Sequence, residues 1–234
     1  MKDPDNYFTY EKKEISNLII FSFLLGIMFS FDQWDAEKLK VGLVHLTLSA
    51  ILVFIGLVLF TSTQKYFAHK QGYSHKSEFS YQWLSASLLF AVVSFGSWMI
   101  PLGYGAQYEI LTRQRLGKFR YGLNFWTMAM ISMTGVIALF LSALIFKILN
   151  VLFSSYLFFQ GTKIMLFLAI FSMLPLPPMI GSYLFFSSRK IYVLLFSLIV
   201  LSAILIEIFP VIVALLIAAV ISAIIFILFT YFET

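Results

Sequence analysis

The chain has 234 residues, of which 61% are hydrophobic and 12% are charged, and it contains no cysteine. This composition supplies too little polar surface for a soluble globule, and the mean hydropathy of +0.93 is typical of an integral membrane protein. The lack of cysteine excludes disulfides, thiolate metal ligands and cysteine nucleophiles. The formal net charge of +5 suits anionic lipid headgroups, and nucleic-acid binding is not expected because no separate basic domain is visible.

A polar tail over residues 1–14 precedes the first of about six or seven apolar runs that are long enough, or nearly so, to cross a bilayer. No small-residue cleavage site follows the tail, which predicts a retained span and not a removed signal peptide. The predicted spans are residues 15–31, 41–62, 80–101, 122–149, 163–178, 191–208 and 210–231. We therefore predict an all-α, polytopic helix bundle in which residues 15–234 form a single transmembrane domain.

The second and sixth predicted spans each contain one ionisable residue, His45 and Glu207. Ionisable groups are costly at membrane depth and are often functional there, although residues near a span end can reach headgroup water. Both alternatives stay open for these two residues. We consider them, with Pro175, Pro177 and Pro178, as candidates for lining a groove or pathway.

The three prolines lie in the segment FSMLPLPPMIG, residues 171–181, which breaks the fifth predicted span. Proline removes a backbone donor and fixes φ, so such a segment is tolerated at membrane depth only where neighbouring helices or cavity water satisfy the freed groups. This span is short, and the sequence does not decide whether it crosses the bilayer.

Small residues recur at four-residue spacing in the last predicted span, at Ala214, Ala218 and Ser222. This spacing places them on one helix face and permits close approach of another helix. The approaching helix is either a neighbour in the same bundle or one from a membrane-protein partner or a second copy of the chain.

Four blocks of sequence carry a further signal, namely FTYEKKEISNLIIFSFLL, LFTSTQKYFAHKQGYSHKSEF, YGAQYEILTRQRLGKFRYGLNFWT and FSMLPLPPMIG. In this order they resemble the site-2 protease family of intramembrane zinc metalloproteases, particularly its small archaeal members. The resemblance implies a protease-like core over about residues 41–195, followed by C-terminal helices. It also implies a prokaryotic cell membrane as the location.

In the second block, Lys65, Ala68, Gly72 and the pair Glu78-Phe79 follow the family pattern, with two extra residues before that pair. This register places the zinc-binding H-E-x-x-H motif on residues 60–64. That motif needs two imidazoles one helical turn apart to hold Zn²⁺ and a carboxylate to activate the bound water. The chain has Phe60, Thr61 and Gln64 at these positions. None of the three side chains can perform either task.

The third and fourth blocks match the family in outline. The matching residues of the third block are Gly105, Ala106, Tyr108, Gly117 and Lys118. In the fourth block, Ser172 replaces the family's asparagine and Ile180 replaces the aspartate that supplies the third zinc ligand. The resemblance therefore implies a protease scaffold without its metal centre.

No shift of the alignment restores the missing ligands, because residues 46–68 contain no His, Asp or Glu and residues 110–206 contain no Asp or Glu. The remaining candidates for a metal site are His69, His75, Glu78 and Glu109, which we expect to be solvated residues of polar loops. We expect no metal and no other cofactor.

The leading hypothesis is a non-catalytic relative of site-2 protease that binds membrane segments or partner subunits. A small transporter or channel component, with the broken fifth segment lining a pathway, is the alternative from another class. A third hypothesis is an accessory subunit that holds neighbouring proteins in a larger membrane complex.

Overall fold

A computed structural model describes residues 10–31, 39–110 and 124–233. Five helices in this part of the chain are long and apolar enough to cross a membrane, as expected for an integral membrane protein. In chain order the elements are α1 (Lys12–Ser30), α2 (Leu39–Lys70), β1 (Tyr73–Phe79), α3 (Tyr81–Val93), β2 (Tyr104–Ile110), α4 (Phe125–Phe153), α5 (Tyr156–Ser172), α6 (Gly181–Ser187), α7 (Arg189–Ile208) and α8 (Val211–Glu233).

The predicted helical membrane bundle is confirmed, but the count of six or seven transmembrane segments is not. Helix α3 has 13 residues and is about 20 Å long, so the prediction of a span over residues 80–101 is wrong in its second half. The chain leaves the helix through Phe95 and Gly96, whose φ angles are +50° and +79°. Helix α5 has 17 residues, begins before the predicted residue 163 and ends at Ser172, ahead of the prolines.

A two-stranded antiparallel sheet, which the sequence analysis did not predict, joins the helices at one end of the bundle. Its register pairs Tyr73 with Ile110 and Phe79 with Tyr104. Hydrogen bonds from outside the sheet occupy both outer edges: the Ser77 amide donates to Glu14 Oε1 at 3.0 Å, and the Tyr183 hydroxyl donates to the Ala106 carbonyl at 2.9 Å. These contacts protect two edge positions from pairing with another strand.

The long helices give the bundle two distinct ends. Gln64, near the end of α2, is hydrogen-bonded to Ser132, near the start of α4, so these helices run in opposite directions. We call the end that carries β1 and β2 the sheet end. The other end, where α2 begins and α4 finishes, is called the opposite end.

The small residues of α8 face the inside of the bundle. Ala214, Ala218 and Ser222 are buried, and α8 packs along α7. Ser202 and Ile206 are the buried residues near the end of α7. The structure therefore favours internal packing, and not a dimer or partner face, for this stripe.

Candidate functional site

The positions that the resemblance assigns to the zinc-binding motif lie in the last third of α2, where α4 covers them. Phe60, Thr61 and Gln64 are all buried. A Cβ atom at Gly135 of α4 would lie 2.6 Å from Gln64 Nε2 and 2.8 Å from Phe60 Cδ2. Only glycine permits this approach of the two helices, so the side chains of α2 fill the space beneath α4.

The Gln64 side chain links three elements at the sheet end. Its Nε2 donates a hydrogen bond to the Ser132 carbonyl of α4 at 3.1 Å. Its Oε1 is therefore the atom that accepts from His75 Nε2 of β1, at 2.9 Å. His75 Nε2 must then carry the proton, because an amide oxygen cannot donate one. His75 Nδ1 is buried and has no hydrogen-bond partner among the residues that the structure describes.

His75 was expected in a solvated loop, and this expectation is wrong: the side chain is 7% exposed, within β1. Burial and the nearby positive charge of Lys65 lower the pKa of His75 to about 3, while the carboxylate of Glu14 acts in the opposite direction. The imidazole is therefore neutral at physiological pH. His69, by contrast, lies on the exposed surface near the end of α2.

A buried ion pair lies next to this histidine. Lys65 Nζ of α2 lies 2.6 Å from Glu14 Oε2 of α1, and the two side chains are 2% and 11% exposed. The ammonium group also lies 4.0 Å from the centre of the Tyr10 ring, whose hydroxyl is hydrogen-bonded to Thr61 and Ser62. The pair thus ties the beginning of α1 to the end of α2.

Strand β2 fills the space between α2 and the proline segment. Its inward-facing residues Tyr104, Ala106 and Tyr108 are buried. The Tyr104 hydroxyl donates to the Leu168 carbonyl of α5, and the Tyr108 hydroxyl is hydrogen-bonded to Ser132 Oγ at 2.7 Å. Burial raises the pKa of both tyrosines, so both phenols stay protonated.

Ser172 and Ile180, to which the resemblance assigns the family's asparagine and aspartate, are also packed into the interior. Ser172 ends α5 with its hydroxyl on the Ala169 carbonyl at 2.8 Å, and it also interacts with the Tyr104 hydroxyl. Tyr104 packs edge-on against Phe60, with ring centroids 5.4 Å apart. Ile180, 2% exposed, directly precedes α6. Tyr104 therefore connects Phe60 to Ser172.

The proline segment forms a tight turn between α5 and α6 that rests on β2. The peptide bond between Pro177 and Pro178 is cis. A Cβ atom at Gly105 would lie 1.9 Å from the Pro178 carbonyl oxygen, so the strand and the turn are in direct contact. Pro177 is exposed, and Pro175 and Pro178 are half-buried.

The outer side of this turn borders an open cleft of about 480 Å³. Its apolar wall consists of Trp83, Phe125, Pro177, Pro178 and Phe186. Its polar wall includes Glu78 and Tyr183. The cleft therefore combines aromatic surface with one carboxylate at the sheet end of the molecule.

His45 and Glu207 lie far from this cleft, at the opposite end. The His45 ring packs against Tyr156, at a centroid distance of 4.4 Å, and Glu207 Oε2 lies 3.5 Å from Lys147 Nζ. Along α2, the 19 residues that separate His45 from Gln64 correspond to about 28 Å. The structure thus brings the prolines together with the motif positions, but not with the two ionisable candidates.

The sequence alone does not show which residues hold this site together, foremost Glu14 and Lys65. Glu14 was included in the polar tail, and Lys65 was noted only for its agreement with the family pattern. Both residues stand next to apolar runs in the sequence, which is a signal for a charge at the membrane boundary. Their pairing joins residues 51 positions apart and is visible only in the fold.

Gly117 and Lys118, which also match the family pattern, lie outside the described residues. In the described part of the chain, no group of three or more His, Cys, Asp or Glu side chains is placed to hold a metal ion.

Comparison of the chain with protein-family models, with curated proteins and with solved structures gives no match. The resemblance to site-2 protease therefore depends on the four sequence blocks alone.

Proposed function

We propose that this chain is a non-catalytic, site-2-protease-like membrane protein that binds a segment of another membrane protein at the proline turn. The observation that carries the proposal is a contrast between two faces of that turn. Its inner face packs on β2, with Gly105 against Pro178, whereas its outer face borders the open cleft.

The inner face supports a structural role for the motif positions. Phe60 packs on Tyr104, and Gln64 uses both ends of its amide in hydrogen bonds to Ser132 and His75. A side chain that satisfies buried polar groups in this way stabilises one arrangement of the helices. Neither residue has the chemistry to bind Zn²⁺ or to activate water.

The outer face supports binding. A cleft of about 480 Å³ has room for a few side chains of a polypeptide, and mainly apolar walls with a few polar groups are typical of ligand sites. The hydrogen bond from Tyr183 to the Ala106 carbonyl occupies an edge position of β2. A bound segment would therefore be held through side chains in the cleft and not by adding a strand beside Ala106.

Site-specific photo-crosslinking in the native membrane tests this proposal. A photoreactive phenylalanine analogue replaces Phe186 in the cleft or, as a matched control, Phe153 at the opposite end; these side chains are 71% and 66% exposed. We expect a discrete crosslinked membrane polypeptide from position 186 and none from position 153. Crosslinks to lipid alone at position 186, or the same polypeptide from both positions, would contradict the proposal.

A further inference from the structure

We propose that the cleft beside the proline turn recognises a basic side chain, lysine or arginine, at the end of the bound transmembrane segment. This inference rests on the proposed function and specifies the chemistry of the partner. It follows from the charge of the cleft, from its aromatic walls and from its position at the sheet end.

Glu78 gives the cleft its charge. Among the described residues that line the cleft it is the only one with an acidic side chain, and none of them is Lys, Arg or His. The Tyr183 hydroxyl is close enough to be affected: burial, and secondly the negative charge of Glu78, raise the pKa of Tyr183. The Glu78 carboxylate and the Tyr183 side chain therefore influence each other electrostatically within the cleft.

Glu78 differs from most other carboxylates of the described residues in having no salt bridge. Four of the others each lie within 4.0 Å of a lysine ammonium group, namely Glu14, Glu109, Glu207 and Glu233. Glu78 has no such lysine or arginine partner in the described part of the chain. Within the described part of the chain, no lysine or arginine thus neutralises the negative charge of Glu78.

The walls of the cleft favour a cation over a neutral or anionic group. Trp83, Phe125 and Phe186 come from three different helices and contribute aromatic surface to the cleft that Glu78 also lines. Aromatic faces attract ammonium and guanidinium groups, and the attraction strengthens when water is excluded. A neutral apolar ligand would instead cover the half-buried Glu78 without compensating its charge.

The position of the cleft indicates where the cation comes from. The sheet end carries the polar beginning of α1 and the basic end of α2 with His69 and Lys70, as expected near headgroup depth. Membrane proteins concentrate lysine and arginine at this depth, next to the ends of their spans. A basic residue that flanks a partner's span would therefore lie at the level of Glu78.

Binding of single-span peptides to the full-length chain in lipid nanodiscs tests the inference. The peptides share one apolar stretch and carry Lys, Arg, Gln or Glu at the flanking position, and the nanodiscs contain phosphatidylglycerol. We expect the Lys and Arg peptides to bind about tenfold more tightly than the Gln peptide, and the Glu peptide more weakly still. Equal affinity for the Lys and Gln peptides would overturn the inference.

Variants of the chain locate the effect. Glu78→Gln keeps the shape of the side chain and should abolish the preference for Lys over Gln, with unchanged binding of the Gln peptide. Glu109→Gln is the matched control, because Glu109 lies on the neighbouring strand, 58% exposed and paired with Lys76. It should leave the preference intact. A preference that survives Glu78→Gln, or one that Glu109→Gln also abolishes, would contradict the assignment to the cleft.

Two further outcomes separate this inference from the proposed function. If peptides of every charge bind equally well, the inference fails and the proposed function stands. If no peptide binds, both fail. Repeating the titration in phosphatidylcholine nanodiscs tests a lipid occupant: an unchanged Lys preference supports the peptide, and loss of that preference would assign the cleft to the lipid's ammonium headgroup instead.

Discussion

Two lysine–glutamate pairs, one at each end of the bundle, differ in burial. At the sheet end, Lys65 and Glu14 are 2.6 Å apart with side chains only 2% and 11% exposed, and hydrogen bonds from β1 and the start of α1 complete the carboxylate's contacts. At the opposite end, Lys147 and Glu207 are 3.5 Å apart, with side chains 16% and 55% exposed, so the carboxylate is open to water. Removing one partner of a buried pair leaves a charge that water does not reach, whereas water can hydrate a charge that is exposed. The pair of Lys65 and Glu14 thus depends more strictly on its surroundings than the pair of Lys147 and Glu207 does.

The largest expected effect comes from breaking the buried pair. Lys65→Met should lower the free energy of unfolding by about 3 kcal/mol, because it leaves the Glu14 carboxylate buried without its partner. Lys147→Met, the equivalent change at the opposite end, should cost less than about 1 kcal/mol. Denaturant titration in detergent compares the two variants. Equal losses would contradict the distinction between the ends.

A close helix contact at the sheet end should give the next largest effect. Gly135→Ala places a methyl group 2.6 Å from the Gln64 amide, and we expect a loss of about 2 kcal/mol as the contact between α2 and α4 opens. Gly56→Ala is the control, because its new Cβ would meet only the flexible ends of Leu168 and Met165, at 3.0 Å each. Thermal unfolding followed by circular dichroism should show a clear shift only for Gly135→Ala; identical shifts would refute the predicted contact.

The buried histidine should make the sheet end sensitive to acid. The pKa of His75 is about 3 in the fold and near 6.5 when the chain unfolds, so between these values the unfolded state binds the extra proton. The stability is therefore unaffected by the titration of His75 well above pH 6.5 and falls as the pH drops below it, by up to about 1.4 kcal/mol per pH unit. Glu14, Lys65 and Tyr108 are the titratable groups that face the imidazole.

The variant His75→Gln isolates this effect, since glutamine can donate to Gln64 but does not titrate in this range. Unfolding titrations at pH 7.5, 6.5 and 5.5 should show a smaller loss for the variant than for the parent chain on acidification. Parallel pH profiles would contradict the buried, neutral imidazole.

The smallest effects are expected for exposed carboxylates. Glu207→Gln and Glu109→Gln should each change stability by less than about 0.5 kcal/mol, because water replaces the lost lysine contact. Added salt should have little effect on either variant. A loss above 1 kcal/mol for Glu207→Gln would show that the opposite end has a structural role that its exposure does not reveal.

The sequence predicted the helical bundle because long apolar runs have few other structures available in a bilayer. It did not predict where the third run ends, since residues 94–103 are largely apolar as well. Gly96 and Pro101 are typical of a helix break, but they lower the mean hydropathy of the run only slightly. The sheet was missed although the sequence of β2 alternates apolar residues with Gly105, Gln107 and Glu109, which is typical of a strand; its partner β1, with the sequence YSHKSEF, is mainly polar and gives no such signal.

The candidate site was predictable in part. Helical spacing places Phe60 and Gln64 on one face of α2, and the structure agrees, because both meet Gly135. The roles of His75 and Glu14 depend on contacts between residues distant in sequence, such as the bond of Glu14 to Ser77, 63 positions away. Contacts between such distant residues leave no recognisable pattern in a single sequence.

Elemental analysis combined with a cleavage assay shows whether the chain holds zinc and hydrolyses peptide bonds in the membrane. The purified full-length chain is incubated with zinc, freed of unbound metal and assayed against a single-span substrate in detergent. Because Phe60, Gln64 and Ile180 are packed into the interior without a zinc ligand among them, we expect no stoichiometric zinc and no cleavage. Stoichiometric zinc together with cleavage that a chelator abolishes would contradict the account.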